Sequence, residues 1–323
     1  MKAGGIEIVP LAAESMGVRS LCTYLRTPDV SILLDPSAAL AFRPPYDPHP
    51  YEYLALESSL SRIRQVAMDV EIITVSHYHF DHVRPGITDW RYNFSTREER
   101  LSLYSGKKIL AKDGRENVNA SQRRRAFYFE KDLRGKVEIE WADGKRFTFG
   151  DTTITFSLPL PHGPEDSKLG YVLSTLIEFG DSRFLFAPDV QGPISRKTLA
   201  YFLKLDPHVV ILGGPPIYLK QFSEHESQEA LYALTTLVTA VDYLVVDHHL
   251  LRTTDWEQWI KPIQLAAERA GHTIGTMADL AGQDRTLLEA SREELYRTNP
   301  PSQEFERWLS SSDEYKTGTR PPI

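Results

Sequence analysis

The sequence predicts an α/β protein, and three observations carry that prediction. Short β-branched and apolar runs, mostly bounded by Gly, Pro or charge, recur along the first 250 residues. Between two of them lies a stretch with apolar residues at spacings of three and four, the period of an amphipathic helix. Several runs are followed at once by His or Asp, so polar chemistry collects where strands end.

In chain order, IEIVPL (6–11), VSILLD (30–35) and EIITVS (71–76) read as strands. Between the second and third, Tyr53, Leu56, Leu60, Ile63 and Ala67 mark a helix, and Pro50 stands where a helix can start. Strand, helix and strand make a βαβ-like unit on a buried sheet. Residues 84–134 differ in character. They hold thirteen Lys and Arg against seven Asp and Glu, an excess of +6, so in a chain of net charge −7 the rest carries −13. This segment reads as a basic insertion or helical excursion. It contains Arg123, Arg124 and Arg125 followed by the aromatic run FYF (127–129).

Strands then return at KVEIEW (136–141), TTITFSLPL (152–160), VLSTLIEFG (172–180), RFLFAP (183–188) and HVVILGG (208–214), with a hairpin around Gly180 and Asp181. A helix over 225–240 precedes DYLVVDHH (242–249), and further helices are expected near 256–270 and 283–297. Residues 1–310 are read as a single domain and 311–323 as a poorly ordered polar tail. No internal repeat is asserted.

With one cysteine, Cys22, the chain has no intramolecular disulfide, and any metal must be held by His and carboxylates. No apolar run reaches membrane-spanning length, and the first twenty residues lack the apolar core of a signal peptide. The expected setting is cytoplasmic, with no membrane partner.

The densest chemistry is SHYHFDH (76–82), three of the chain's ten histidines and an aspartate directly after a strand. His77 and His79 lie two apart and point the same way in extended backbone. Asp81 and His82 follow after a turn. Imidazole and carboxylate suit Zn²⁺, with Fe and Mn as alternatives. Such a cluster calls for more ligands at later strand ends, and His162, Asp189, His248 and His249 stand there; Asp35 also ends a strand. His49, His208, His225 and His272 read as structural or exposed, although His49 lies in a Pro-rich loop that could border a pocket.

H-x-H-x-D-H after a strand, followed by His, Asp and His at later strand ends, resembles the metallo-β-lactamase-fold hydrolases over roughly residues 5–250. SHYHFDHVRPG, NASQRRRAF and VDHHLLR resemble most a group of uncharacterised, largely archaeal members. The resemblance implies a four-layer αββα sandwich of two mixed sheets flanked by helices. It implies that His77, His79 and His162 hold one zinc ion. Asp81, His82 and the last His hold a second, with Asp189 bridging. Asp81 and Asp189 are then the catalytic carboxylates, and Asp35 steadies the histidine loop. His248 is preferred to His249 because its spacing of four to Arg252 resembles H-x-x-x-R of the phosphodiesterase branch; strand alternation is expected to send the two apart. Two departures are Val83, where the family often has Gly, and the context FAPDVQGP around Asp189. Glu at the position of His79 marks the diiron branch, so this sequence opposes an iron oxidoreductase.

Two cations about 3.5–4 Å apart would lower the pKa of a shared water to near neutrality. The expected function is metal-dependent hydrolysis by that bridging hydroxide. A phosphodiester or other phosphorylated substrate comes first because of the basic excess. A lactone, thioester or amide is the alternative, and a non-catalytic metal-binding scaffold a third. Arg123, Arg124 and Arg125 are candidate substrate contacts, nucleic acid is an open alternative as substrate, and a homo-oligomer is compatible with the sequence.

Overall fold

The structure is a computed structural model describing residues 1–323. Its first sheet runs β1 (Lys2–Ala3), β2 (Ile6–Pro10), β3 (Thr23–Arg26), β4 (Ser31–Leu34), β5 (Ile72–Val75), β6 (Lys108–Ala111) and β7 (Glu138–Trp141), in that spatial order. Pairing is antiparallel from β1 to β4 and parallel from β4 to β7. The second sheet contains β8 (Arg146–Phe149) and β9 (Thr152–Phe156). A separate ribbon of β10 (Leu160–Pro161) and β11 (Tyr171–Val172) interrupts the chain. The sheet resumes with β12 (Thr175–Phe179), β13 (Ser182–Ala187), β14 (Val209–Gly213), β15 (Tyr243–Asp247) and β16 (Thr273–Gly275). Here too pairing is antiparallel from β8 to β13 and parallel from β13 to β16. The two sheets thus repeat one topology, which no sequence repeat announced.

Ten α-helices accompany them: α1 (Pro50–Ala67), α2 (Arg97–Tyr104), α3 (Ala120–Leu133), α4 (Arg196–Leu205), α5 (Glu224–Val238), α6 (Trp256–Ala270), α7 (Met277–Ala281), α8 (Arg292–Thr298), α9 (Gln303–Leu309) and α10 (Asp313–Gly318). Tyr53, Leu56, Leu60, Ile63 and Ala67 of α1 are all buried, as the periodicity requires. Its start is fixed by Pro50 at the first position and a capping box between His49 and Glu52. His49 is therefore a helix cap and does not border the cleft.

Why two sheets and four layers form can be read from the alternation within strands. In β4, Ile32 and Leu34 face the second sheet while Leu33 faces α1. In β14, Val209 and Ile211 face the first sheet while Val210 and Leu212 face α4, α5 and α6. Both faces of each central strand are covered, so these strands read as continuous apolar runs. The result is three cores and the expected αββα sandwich.

Three expectations are corrected. The basic segment is no mere excursion, because it supplies β6, an interior strand of the first sheet, between α2 and α3. The helix expected over 283–297 is divided. α7 closes on Gly282 in the left-handed region (φ 67°), Thr286 bridges to Met16, and α8 begins only at Arg292. The tail from 311 is ordered. Ser312 caps α10, Trp308 Nε1 donates to the Thr319 carbonyl at 3.0 Å, and the Trp90 amide donates to Thr317 at 2.9 Å. Its polar composition hid the backbone acceptors that two tryptophan-bearing segments need. No helix is long and apolar enough to cross a membrane.

Candidate metal centre

Strands of both sheets, and the β10–β11 ribbon, deliver side chains to one place. Asp35 follows β4, His77 follows β5 after Ser76, His162 follows β10, Asp189 follows β13 and His248 follows β15. Ligands of open α/β sheets gather at such carboxyl ends of parallel strands.

Asp189 lies in the middle, buried, with its two oxygens turned to different neighbours. Its Oδ2 is 2.9 Å from His162 Nε2, 3.2 Å from His77 Nε2 and 3.8 Å from His79 Nδ1. Its Oδ1 is 3.4 Å from both His82 Nε2 and His248 Nε2. His248 Nε2 is also 3.4 Å from Asp81 Oδ2. Within the set His77, His79, His162 and Asp189, one ligand atom from each residue lies within 4.8 Å of all the others, and the same holds for Asp81, His82 and His248. Three imidazoles and a carboxylate, and beside them two imidazoles and a carboxylate, fit borderline-soft divalent cations. Two buried atoms, Asp189 Oδ1 and His82 Nε2, have no hydrogen-bond partner in the protein, and a cation between them would satisfy both.

Behind these candidate ligands stand groups that fix their orientation. Asp35 Oδ1 accepts from the Ser76 amide at 2.8 Å, and its Oδ2 takes the Ser76 hydroxyl and lies 2.9 Å from His82 Nδ1. Ser76 Oγ in turn sits 2.9 Å from His77 Nδ1. Glu14 Oε2 is 3.2 Å from His248 Nδ1 and accepts from Arg252 Nε at 2.9 Å. Asp247 accepts from the amides of His248 (2.7 Å), Met277 (2.9 Å) and Ser15 (3.1 Å), pinning the end of β15 to α7 and to the loop of Glu14. Asp35, Asp189 and His248 all adopt the left-handed backbone region, at φ 48°, 52° and 66°. Such conformations persist only where neighbours over-determine them.

Charge is tightly shared. Burial alone would raise the Asp189 carboxyl, but the surrounding His82, His249, His248 and His162 outweigh it and hold it well below the carboxylate range. For Asp81, burial is likewise overcome, by the hydrogen bond to His248 and the charge of His82. Burial and the charge of His82 push His77 well down.

The structure brings together His77, His79, Asp81, His82, His162, Asp189 and His248, with Asp35 behind them, and it also places a His249 nitrogen within 4.8 Å of ligand atoms of Asp189 and His248. His249 is not beside Asp81. β15 ends at Asp247, and His248–Arg252 form a 3₁₀ turn, so the expected strand alternation does not apply. His249 is buried, lines the cleft, and leaves its Nδ1 without a partner. Of the three consecutive arginines only Arg125 reaches the cleft, and Arg123 and Arg124 are exposed on other sides of α3. Neighbouring helix residues diverge by about 100°, so a run of three cannot share one target. Glu14, Arg19, Asp247, Gln191 and Tyr218 went unread. The only sequence signal among them was the strand-end position of Asp247.

The cleft over the centre has a volume of about 420 Å³. Two helix-covered mixed sheets with a His and Asp centre at their strand ends define the metallo-β-lactamase superfamily, a class of metal-dependent hydrolases. A family model described as "Beta-lactamase superfamily domain" matches residues 31–206. The chain is 39% identical to a UPF0282 protein of Methanopyrus kandleri, over 90% of this chain and 99% of that one. It is 36% identical to a UPF0282 protein of Korarchaeum cryptofilum, over 94% and 99%. It belongs to the UPF0282 family of this superfamily. Among solved structures it is similar to CmlA, a diiron β-hydroxylase from Streptomyces venezuelae (TM-score 0.49, 13% identity, 85% of this chain and 53% of that one). It is also similar to Tm1679, a metal-dependent hydrolase of the β-lactamase superfamily (TM-score 0.48, 12% identity, 83% and 94%).

Proposed function

We propose that this chain is a hydrolase that works with two divalent metal ions, zinc first with iron and manganese as alternatives, on a phosphodiester or other phosphorylated compound. The observation that carries this reading is the divided Asp189 carboxylate, whose Oδ2 faces His77, His79 and His162 while its Oδ1 faces His82 and His248. His77, His79 and His162 would hold one ion and Asp81, His82 and His248 the other, with Asp189 between. A bound pair of cations supplies a water that ionises near neutral pH and stabilises developing negative charge.

The chain's own part is orientation and charge. Asp35 and Glu14, each on the Nδ1 side of a ligating ring, keep Nε2 of His82 and of His248 turned to the centre. An anionic substrate is favoured by Arg125. Its guanidinium lines the cleft 4.2 Å over the Phe80 ring, donates only to the Tyr78 carbonyl (3.2 Å), and has no carboxylate partner. A half-buried guanidinium with free N–H groups is suited to phosphoryl oxygens.

Metal analysis of protein purified without chelator should give close to two zinc ions per chain. Asp81→Ala should cost more than the roughly 10–100-fold typical of outer partners when bis-p-nitrophenyl phosphate is the substrate. Arg125→Ala should reduce hydrolysis of that diester while sparing a neutral lactone. A lactone or thioester turned over while the diester is not would replace the phosphoryl reading. Activity unchanged in Asp81→Ala would sink the hydrolase assignment for the substrates assayed.

A further inference from the structure

We propose that the cleft contains a second anion subsite, built on Arg19 with Arg252 and Tyr218, and that the substrate carries a second anionic group, phosphate or carboxylate, besides the one that reacts. The proposal rests on the reading of this cleft as a hydrolase site for anionic compounds.

Arg19, Arg252 and Tyr218 line the same cleft as His79, Asp81 and Asp189. The carboxylates that partner the two arginines do not; Glu289 and Glu14 are buried behind them. Arg19 donates from Nε (2.7 Å) and Nη2 (2.6 Å) to Glu289. One edge of the guanidinium is thereby fixed, and Nη1 has no acceptor in the protein. The side chain retains 20% exposure, at the cleft. Arg252 donates from Nε to Glu14 at 2.9 Å and from Nη1 to the Tyr218 hydroxyl at 3.3 Å, and its Nη2 lies 3.3 Å from both ring nitrogens of His248. Arg43 lies 4.8 Å over the Tyr218 ring and donates to the Arg252 carbonyl, without a carboxylate partner of its own. Three guanidinium groups thus share two directly paired carboxylates, with Asp81 across the cleft also acting on Arg252.

Built only for stability, this cluster would be an odd choice. Buried ion pairs are seldom better than apolar packing. Here the charge of Arg252 adds to burial in opposing the ionised form of Arg19, and Glu289 has to overcome both. Arg19 is held from behind with Nη1 left on the open side, and the buried Arg252 adds a second positive charge at the same wall beside the Tyr218 hydroxyl, which together make a preorganised site for an oxyanion. Arg125 belongs to another element, α3, and faces the cleft over Phe80, so it serves a different group of the ligand.

The test is calorimetric titration of the metal-free protein with inorganic phosphate and, separately, with acetate. Wild type should bind phosphate. Arg19→Lys keeps the charge facing Glu289 but loses the fork, and should weaken binding about tenfold. Tyr218→Phe removes a donor and should weaken it by a smaller factor. Thermal melting of each variant separates weak binding from misfolding, and Tyr218→Phe keeps the test valid if Arg19→Lys does not fold. Weakening in either folded variant supports the subsite. Acetate bound more tightly than phosphate, with the same dependence on Arg19 or Tyr218, supports it and assigns the group as a carboxylate. Phosphate and acetate both unbound by wild type, or bound equally by wild type and the folded variants, overturn it. Because no metal is present, the subsite stands even if the loaded protein fails to cleave phosphodiesters, so the two readings fail separately.

Discussion

Two imidazoles of the centre, His82 and His248, carry a carboxylate on Nδ1, Asp35 at 2.9 Å and Glu14 at 3.2 Å. The first was legible because Asp35 ends a strand next to the strand that delivers the histidines. The second was not, because Glu14 sits in an early loop and meets His248 only through tertiary folding. Asp35→Ala should lower zinc affinity roughly 10–100-fold in competition with a chromophoric chelator; affinity equal to wild type would show that Ser76 and packing alone orient the rings. A second residue sets an acid limit. Burial would raise the Glu289 carboxyl, but the charge of Arg19 and its hydrogen bonds bring it down to about 2, from 4.5 when unfolded. A carboxyl depressed by folding adds stability that is complete above 4.5 and is lost as pH falls toward 2. The stability difference between wild type and Glu289→Gln, read from urea midpoints, should therefore shrink as pH is lowered from 5 to 2. A constant difference over that range would contradict the pairing.

At the scale of elements, most of the candidate ligands became legible because parallel strands end together, so a His or Asp after an apolar run marks the rim of a sheet; His162 instead follows a strand of the separate β10–β11 ribbon. What failed was anything set by rotation or turning within an element. The arginine run of α3 looked like one patch, yet only Arg125 faces the centre, because the buried stripe of that helix is Gln122, Ala126, Phe129 and Leu133. The positions of His248 and His249 are likewise set by a 3₁₀ turn that follows Asp247, which puts His248 beside Asp81 and both histidines beside Asp189. α3 is seated by Phe129, which is fully buried and edge-on to Tyr78 (6.0 Å) and Tyr104 (5.0 Å). Phe129→Ala should cost about 3–5 kcal/mol in urea unfolding. Because it loosens the helix that carries Arg125, it should also raise KM for a phosphodiester more than it lowers kcat. The reverse pattern would mean that α3 does not position Arg125.

For the whole molecule, the two sheets repeat one topology, and the rim of each contributes to a single centre, so the fold must be locked sheet to sheet and rim to rim. The inter-sheet core does the first. The second falls partly to the C-terminal segment, which returns across the first sheet's side of the molecule. Arg292 grips Glu52 of α1 through two bonds of 2.7 Å, and Phe305 and Trp308 enter the core of α1 beside Tyr53. Residues 312–323 close that arrangement. They accept from Trp308 Nε1 and the Trp90 amide, and Arg320 stacks 4.4 Å over the Trp90 ring. Their composition gave no hint of this, because the tail acts through backbone acceptors and a few scattered charges, Asp313 on Arg91, Lys316 on the Leu309 carbonyl and Arg320 on Glu57. Deleting 312–323 leaves two partly buried donors unpaired, each costing about 1–3 kcal/mol, so unfolding free energy should fall by about 2–5 kcal/mol. The segment makes no contact with the histidine cluster, so zinc stoichiometry should stay at that of the full chain. Loss of zinc together with stability would instead place the C-terminal segment among the supports of the centre. An unchanged urea midpoint would show that the tail docks without stabilising.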